Sequence, residues 1–573
     1  MEKVRVVIDG REVFVKEGIT ILEAAKEIGI RIPTLCYLPK QDIKANCRIC
    51  TVQLRDRNKM VTACSTPVYE GIDVLTNSKE VRELRKTLLE LMLADHPKDC
   101  LTCVRNGSCE LQTLAREYNL REVPFESRKK DLPIDDKNSS IVRDPNKCIM
   151  CGRCVDMCKK VQEMGIINYA FRSGEYTITT PFGKELQDTD CLFCGQCTTV
   201  CPVGALHEKE DIDKVFEAIQ NPDIHVVVQT APAIRVSLGE EFGGEKGSIV
   251  TGKLVSALKE LGFDKVFDTN FAADLTIMEE ANELLYRINN NKVLPMMTSC
   301  CPGWIEYVEK SAPEMIPNIS TCKSPQQMFG SIAKTYYAER EKIDPSKIFV
   351  VSIMPCTAKK HEAYVHKIEG TNLREVDAVL TTRELARMFN ELGLDFNTLP
   401  EKEFDSPLGI GSGAGAIFAA TGGVMEAALR TAYEKVTGKE LQNLDFEEVR
   451  GFEGLKEAKV TLGEAELNVA VVNGISSVKE VIDKIKSGEK VYHFVEVMTC
   501  KGGCIGGGGQ PFGGINAKVK RKDSLYKEDL NLPIRKSHEN PEIKEVYKNF
   551  LIKPLGDKSH KLLHTHYVDK RNI

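Results

Sequence analysis

The sequence predicts a multidomain protein with a small β-rich N-terminus, a cysteine-rich α+β middle, and a large C-terminal α/β domain on two lobes of mainly parallel sheet. Three observations carry this reading. At 573 residues the chain exceeds what one hydrophobic core supports. Fifteen of its 21 cysteines crowd into residues 36–201. From about residue 210 cysteines thin out, and strand-like apolar runs alternate with helical patterns, as in parallel sheets with crossover helices.

Composition narrows the function. The chain is 42% apolar and 28% charged, with a net charge of −5, which argues against a nucleic-acid partner. No apolar run reaches 18 residues, so no membrane span is expected. The first residues offer no secretory apolar segment, so a cytoplasmic location is expected. That compartment keeps thiols reduced, and so many cysteines then call for metal rather than disulfides.

In chain order, residues 3–8 and 11–15 alternate apolar and polar about Asp9-Gly10, a hairpin signal. Thr20 and Glu23 form a capping-box pattern opening a helix to about Gly29. A cysteine loop from Cys36 to Cys64 follows, and this first domain ends near Leu75. Asn77 and Ser78 cap a helix to about Ala94, and residues 124–140 read as a linker. Beyond 210, strands are expected at 226–229, 292–297, 348–353, 467–472 and 492–497, with helices at 251–261, 274–288, 325–340, 382–393 and 423–435. The boundaries follow as 1–78, 79–125, 126–209 and 210–573.

The sharpest motif is Cys148, Cys151, Cys154 and Cys158, repeated as Cys191, Cys194, Cys197 and Cys201 before Pro202. Two such runs are the bacterial two-cluster ferredoxin pattern, in which the fourth cysteine of each run serves the other's 4Fe-4S cluster. Four-cysteine zinc sites also use paired spacings, but do not need two runs of four. Cys36, Cys47, Cys50 and Cys64, in a hairpin-and-helix context, fit a 2Fe-2S ferredoxin-like domain despite departing from the plant-type spacing, with structural zinc as the plainer alternative. His96, Cys100, Cys103 and Cys109 suit either zinc or a histidine-ligated 4Fe-4S cluster; spacing alone favours zinc, and His96 alone could simply face a helix C-terminus.

Six cysteines remain: Cys300, Cys301, Cys322, Cys356, Cys500 and Cys504. Cys300-Cys301, Cys356 and Cys500 each follow an apolar strand-like run, and sites in α/β sheets form beyond the carboxyl ends of strands. Buried single cysteines are common as small hydrophobes. Three coincidences, and glycines at 502, 503 and 506–509 where backbone must pass close to a bulky group, weaken that reading. One further 4Fe-4S centre is expected here.

At these residues the chain resembles a known family. Thr298-Ser-Cys-Cys-Pro-Gly-Trp304, Met354-Pro-Cys-Thr-Ala-Lys-Lys360 and the stretch from Glu496 to Pro511 are similar to the three signatures of FeFe hydrogenases, and the N-terminal layout resembles the larger clostridial-type monomeric members. The resemblance implies an H-cluster: a 4Fe-4S cubane on Cys301, Cys356, Cys500 and Cys504, with Cys504 bridging to a two-iron subsite carrying CO, cyanide and an azadithiolate. It also implies that His96, Cys100, Cys103 and Cys109 hold a 4Fe-4S cluster, giving one 2Fe-2S and three accessory 4Fe-4S clusters. The implied partners are a ferredoxin or flavodoxin electron carrier and the maturation proteins that insert the subsite, with the chain monomeric.

The implied reaction is 2H⁺ + 2e⁻ ⇌ H₂. The family's proton route matches Cys300, Glu280, Ser320 and Glu283, with Arg287 towards the outside; spacing alone favours a plain helix ion pair between Glu283 and Arg287. Other pocket positions map onto Ala231, Pro232, Ser324, Met354, Lys359, Phe418 and Met498, with Lys359 a donor to a distal cyanide. Thr499 stands where the family usually has alanine, Lys501 places a charge between two ligands, and Cys322 is an extra thiol expected to be buried. Two other readings compete: the hydrogen-cycling subunit of an NAD(P)-linked or bifurcating complex, and a non-catalytic redox sensor or iron–sulfur assembly factor. Gly411, Gly413 and Ala416 match only a weak dinucleotide pattern, without a convincing strand before it.

Overall fold

The alternating valines and the Asp9-Gly10 turn produce the expected hairpin. In the computed structural model, which describes residues 3–127, 131–463 and 465–571, β1 (Lys3–Ile8) and β2 (Arg11–Lys16) pair antiparallel, with Val4, Val6 and Ile8 turned inward. Asp9 and Gly10 both take positive φ, as a tight hairpin turn requires. Thr20 and Glu23 close a full capping box on the helix Ile21–Glu27. The sheet is completed by β3 (Thr51–Leu54), β4 (Lys59–Thr62) and β5 (Ile72–Leu75), in the order β2-β1-β5-β3-β4. Here the expectation of a simple cysteine loop is corrected. A second hairpin, β3–β4, lies inside it, masked in sequence by the charged turn Arg55-Asp-Arg-Asn58.

Ser78 caps the helix Lys79–Ala94, and the helix Glu110–Glu117 follows the next cysteines. Of the expected linker, residues 128–130 lie outside the described residues, and the rest is irregular. In the paired-run segment, β6 (Ile141–Arg143) pairs with β9 (Leu206–Glu208), enclosing a hairpin of β7 (Asn168–Ala170) and β8 (Thr177–Thr179). One apolar core gathers Cys36 and Cys47, Cys109, and Cys151, Cys154 and Cys201. Three of the N-terminal cysteine sets therefore share a single buried interior.

The C-terminal part carries two four-stranded sheets. The first is wholly parallel, in the order β11-β10-β13-β14: β10 (His225–Thr230), β11 (Lys265–Asp268), β13 (Ile348–Met354) and β14 (Ala378–Thr381). The second runs β12-β17-β16-β15: β12 (Met296–Met297), β15 (Leu455–Leu462), β16 (Ala465–Asn473) and β17 (Phe494–Met498). All its pairs are parallel except β15–β16. Successive residues point to opposite faces. Phe494 and Met498 accordingly pack with the helix Gly423–Thr437, while Val495 and Val497 pack with Trp304 and Ile475.

Several elements differ from expectation. The strand expected over 292–297 shrinks to two residues at β12, following Pro295, which has no N–H to donate to a ladder. The long helix begins at Thr269 rather than 274, because Asp268 caps it by accepting from Asn270 N. The helix expected at 325–340 runs as Pro325–Ile332, a wide turn over Ala333–Tyr337, and a last turn Ala338–Glu341. No strand precedes Gly411. Cβ atoms at Gly411 and Gly415 would meet Asn270 at 2.2 and 2.7 Å, so these glycines pack a short helix onto the long one.

Candidate metal centre

The strand-end cysteines meet, but between the two sheets rather than beyond one. Cys300 and Cys301 follow β12, Cys500 follows β17, and Cys356 follows β13 of the other sheet. Together with Cys504 they line one cavity of about 90 Å³, walled almost wholly by apolar atoms. Ala231, Pro232, Met354, Lys359, Phe418 and Met498 line it too. Ser324 does not reach the wall. It caps the neighbouring helix Pro325–Ile332, and its buried hydroxyl has no hydrogen-bond partner among the described residues.

Local structure prepares these thiols for metal. Cys301 is the N-cap of the helix Pro302–Ser311, with Pro302 in the first turn, so the residue sits at the positive end of the helix. Thr499 N lies 3.4 Å from Cys301 Sγ and Thr499 Oγ1 3.2 Å from it. The residue that departs from the family pattern thus adds a polar neighbour to a candidate ligand. Lys501 is exposed. Burial, with Cys301 next, pushes the Cys356 thiol up to about 11. Buried thiols crowded together resist ionisation, and a cationic iron centre is what makes such a set stable as thiolates.

Lys359 is buried. It donates to Cys300 O at 3.1 Å and pairs with Glu362 Oε2 at 2.9 Å. Burial works against the ammonium, and Glu362 more than offsets it. Gln326, Thr269 and Ala419 also line the cavity, and no sequence signal pointed to them. Gln196 was missed as well. It sits between Cys194 and Cys197, and its amide donates to Cys500 Sγ at 3.2 Å and Gly506 O at 2.9 Å. The second ferredoxin-type run therefore touches the cavity's own cysteines.

Gly503 and Gly507 of the glycine run line the cavity beside the cysteines, as expected, and the run also packs loops together. A Cβ at Gly508 would stand 2.3 Å from Cys194 O, one at Gly507 2.2 Å from Pro355 O, and one at Gly509 2.7 Å from the Thr381 side chain. These glycines let three cysteine-bearing loops approach backbone to backbone.

On the long helix, Glu283 and Arg287 form the ion pair that spacing favoured. Arg287 Nη2 donates to Glu283 Oε1 at 2.7 Å, and Ser320 Oγ donates to Glu283 Oε2 at 2.9 Å. Arg287 is buried rather than turned outward, and also clamps the carbonyls of Pro317 and Ile319. Glu280 is fully enclosed, with Oε2 lacking a partner among the described residues. Burial, then the charge of Glu283, raises its pKa to about 8. Burial, with Glu280 next, pushes the Cys300 thiol far up, so it carries its proton. Cys322 is fully buried, as expected.

The accessory cysteines are also assembled. Cys50 and Cys64, brought together by the β3–β4 hairpin, have sulfurs 3.3 Å apart. Cys148, Cys151, Cys154 and Cys201 line one small apolar cavity, so the first run takes its fourth thiol from the second. Burial, with Cys191 and Cys158 next, pushes the Cys197 thiol far up. Cys109 caps the helix Glu110–Glu117, and Cys103 packs so close to Gly204 that a Cβ there would lie 2.9 Å from its sulfur.

Residues 224–508 match the iron-only hydrogenase large subunit, C-terminal domain, and residues 516–570 the iron hydrogenase small subunit. A subunit of an NADP-reducing hydrogenase from Solidesulfovibrio fructosivorans is 49% identical over all of both chains. Iron hydrogenase 1 of Clostridium pasteurianum is 43% identical over 98% of this chain and 99% of its own. This chain belongs to the FeFe hydrogenase family. A solved FeFe hydrogenase of Chlamydomonas reinhardtii, 44% identical, covers 63% of this chain and 99% of its own at a TM-score of 0.57. The N-terminal part matches a 2Fe-2S cluster-binding domain at 1–79, the NADH-ubiquinone oxidoreductase-G iron–sulfur binding region at 85–124, and a 4Fe-4S dicluster domain at 147–205. The FeFe hydrogenase is therefore an iron–sulfur oxidoreductase with 2Fe-2S, 4Fe-4S and H-cluster centres. No helix among its described residues is long and apolar enough to cross a membrane.

Proposed function

We propose that this FeFe hydrogenase interconverts protons and H₂ at the cavity between its two sheets, where Cys301, Cys356, Cys500 and Cys504 hold the H-cluster. The observation that carries this is the convergence of those four thiols, from strands of two different sheets, on one apolar cavity that also presents Cys300 and Lys359. When bound, the H-cluster supplies the metal at which two electrons and two protons combine. The protein's own residues do the rest. Met354, Phe418 and Met498 exclude water, Lys359 offers a fixed ammonium to an anionic ligand, and Cys300 presents a protonated thiol to the cavity.

Protons reach Cys300 through Glu280, Ser320 and Glu283, with Arg287 holding the Glu283 carboxylate in place. Electrons from a ferredoxin or flavodoxin are received by one 2Fe-2S cluster on Cys36, Cys47, Cys50 and Cys64 and three 4Fe-4S clusters. The latter use His96 with Cys100, Cys103 and Cys109; Cys148, Cys151 and Cys154 with Cys201; and Cys191, Cys194 and Cys197 with Cys158. The division 1–78, 79–125, 126–209 and 210–573 assigns these sets to separate modules of a cytoplasmic protein matured by subsite-inserting partners. A Cys300→Ala variant keeps the cluster's infrared bands and loses most hydrogen turnover; unchanged turnover would remove Cys300 from the route.

A second reading has specific support. The full-length similarity to a protein named as a subunit of an NADP-reducing hydrogenase favours a multi-subunit assembly over a monomer. Co-purification with a flavin-containing partner supports that reading, and a solitary chain driven efficiently by reduced ferredoxin supports the first.

A further inference from the structure

Beside Glu283 lies a buried donor set that the hydrogen chemistry does not use. Cys322 Sγ stands 3.7 Å from Glu283 Oε2. His564 comes from the far end of the chain, and a β-bridge between its backbone and that of Cys322 holds the two side by side. Donor atoms of Glu283, Cys322 and His564 all fall within 4.8 Å of one another, and all three residues are buried. A tetrahedral zinc ion with bonds of about 2.0–2.3 Å needs donors roughly 3.3–3.7 Å apart. Small side-chain rotations supply that.

The surroundings are those of a metal-ligating histidine. The Thr321 hydroxyl bridges His564 Nδ1, at 2.8 Å, and Glu283 Oε2, at 3.2 Å; this is the link a metal ion would replace. The other ring nitrogen, Nε2, faces Glu279 Oε2 at 3.3 Å. Glu279 is itself fixed by Tyr547 Oη at 2.5 Å and Leu555 N at 2.8 Å. A carboxylate behind the second nitrogen sets the histidine tautomer and raises its basicity towards a metal. Arg287 occupies Glu283 Oε1, so an ion would bind at Oε2 in place of the hydroxyl donors Ser320, at 2.9 Å, and Thr321, at 3.2 Å. A thiolate, a carboxylate and a neutral imidazole balance a divalent charge, and binding releases the thiol proton.

We propose that Glu283, Cys322 and His564 form a binding site for a thiophilic divalent cation of the zinc class, separate from every iron–sulfur position. Its consequence rests on the proton route proposed above: an ion on Glu283 Oε2 takes the oxygen to which Ser320 donates, and proton supply stops. The binding itself does not depend on that route.

The test uses the anaerobic, cluster-loaded enzyme with Zn²⁺ as probe, passed through a desalting column and examined by metal analysis and zinc X-ray absorption. Wild type is expected to retain an added zinc with one sulfur and otherwise nitrogen or oxygen neighbours. Cys322→Ala, which leaves basal turnover unchanged, loses the sulfur and the tight retention. Glu279→Gln weakens binding by roughly 10–100-fold. Equal retention by wild type and Cys322→Ala overturns the proposal. Hydrogen evolution on the same samples separates the two readings. Zinc held through Cys322 with undiminished turnover upholds the cation site and removes Glu283 from the proton route.

Discussion

At the scale of single residues, the decisive features are carboxyls and thiols kept neutral by burial. Glu280 shows this most directly. Its folded pKa of about 8 lies above the ordinary 4.5, so between those values the folded state binds a proton that the unfolded chain has released. Stability from this group is full below the ordinary value and is lost as pH rises through about 8. Thermal melts of the Glu280→Gln protein are therefore expected to show a shallower decline in stability over that window than wild type. An identical decline would show that Glu280 is ionised in the fold. The same neutral carboxyl is the form able to hand a proton to Cys300, so carrier-saturated turnover should fall over the same rise.

At the scale of elements, loops meet backbone to backbone. Gly508 against Cys194 and Gly195 is one such case, with a would-be Cβ at 2.3 Å from a carbonyl oxygen. Gly508→Ala forces the cysteine loops apart and should cost about 1–3 kcal/mol, read as a lower melting temperature with all clusters still present; an unchanged melting temperature would contradict that packing. The sequence had marked these glycines for the cavity, which Gly503 and Gly507 do line, but not for the loop packing at Gly508, since spacing shows that something is close without showing what. Much else was legible. The Thr20–Glu23 box, the Ser78 cap and the helices starting at 251, 382 and 423 follow from local patterns and sit where expected. The β3–β4 hairpin was not, because charged turn residues broke its alternation. Nor was Gln196, whose importance comes from contact with Cys500, some three hundred positions away. The division of the strand ends between two sheets was equally invisible, since apolar runs do not reveal which sheet they join.

At the scale of the whole molecule, the modules are stitched by buried contacts that run towards the central cavity. The 2Fe-2S region docks on the paired-run segment through Lys44 with Asp156 and through Asn46 with Tyr169, at 3.3 Å, next to Cys47. Both charges of the Lys44 pair are largely buried, so reversing one leaves two carboxylates facing each other, which is strongly unfavourable. Lys44→Glu is expected to raise hydrogen exchange around residues 42–47 and to slow turnover driven by a protein carrier. Turnover with a small dye that reaches inner clusters directly should stay near wild type; equal slowing with both donors would show damage beyond the docking face. Gln196 continues the same path inward to Cys500. The cavity at its end is the centre of the account, and infrared spectroscopy of anaerobically matured protein tests it most directly. The spectrum is expected to show CO and cyanide stretching bands that vanish when the Cys504 thiol is removed as Cys504→Ala. A fully matured wild-type sample without those bands would contradict the assignment of Cys301, Cys356, Cys500 and Cys504 to the H-cluster.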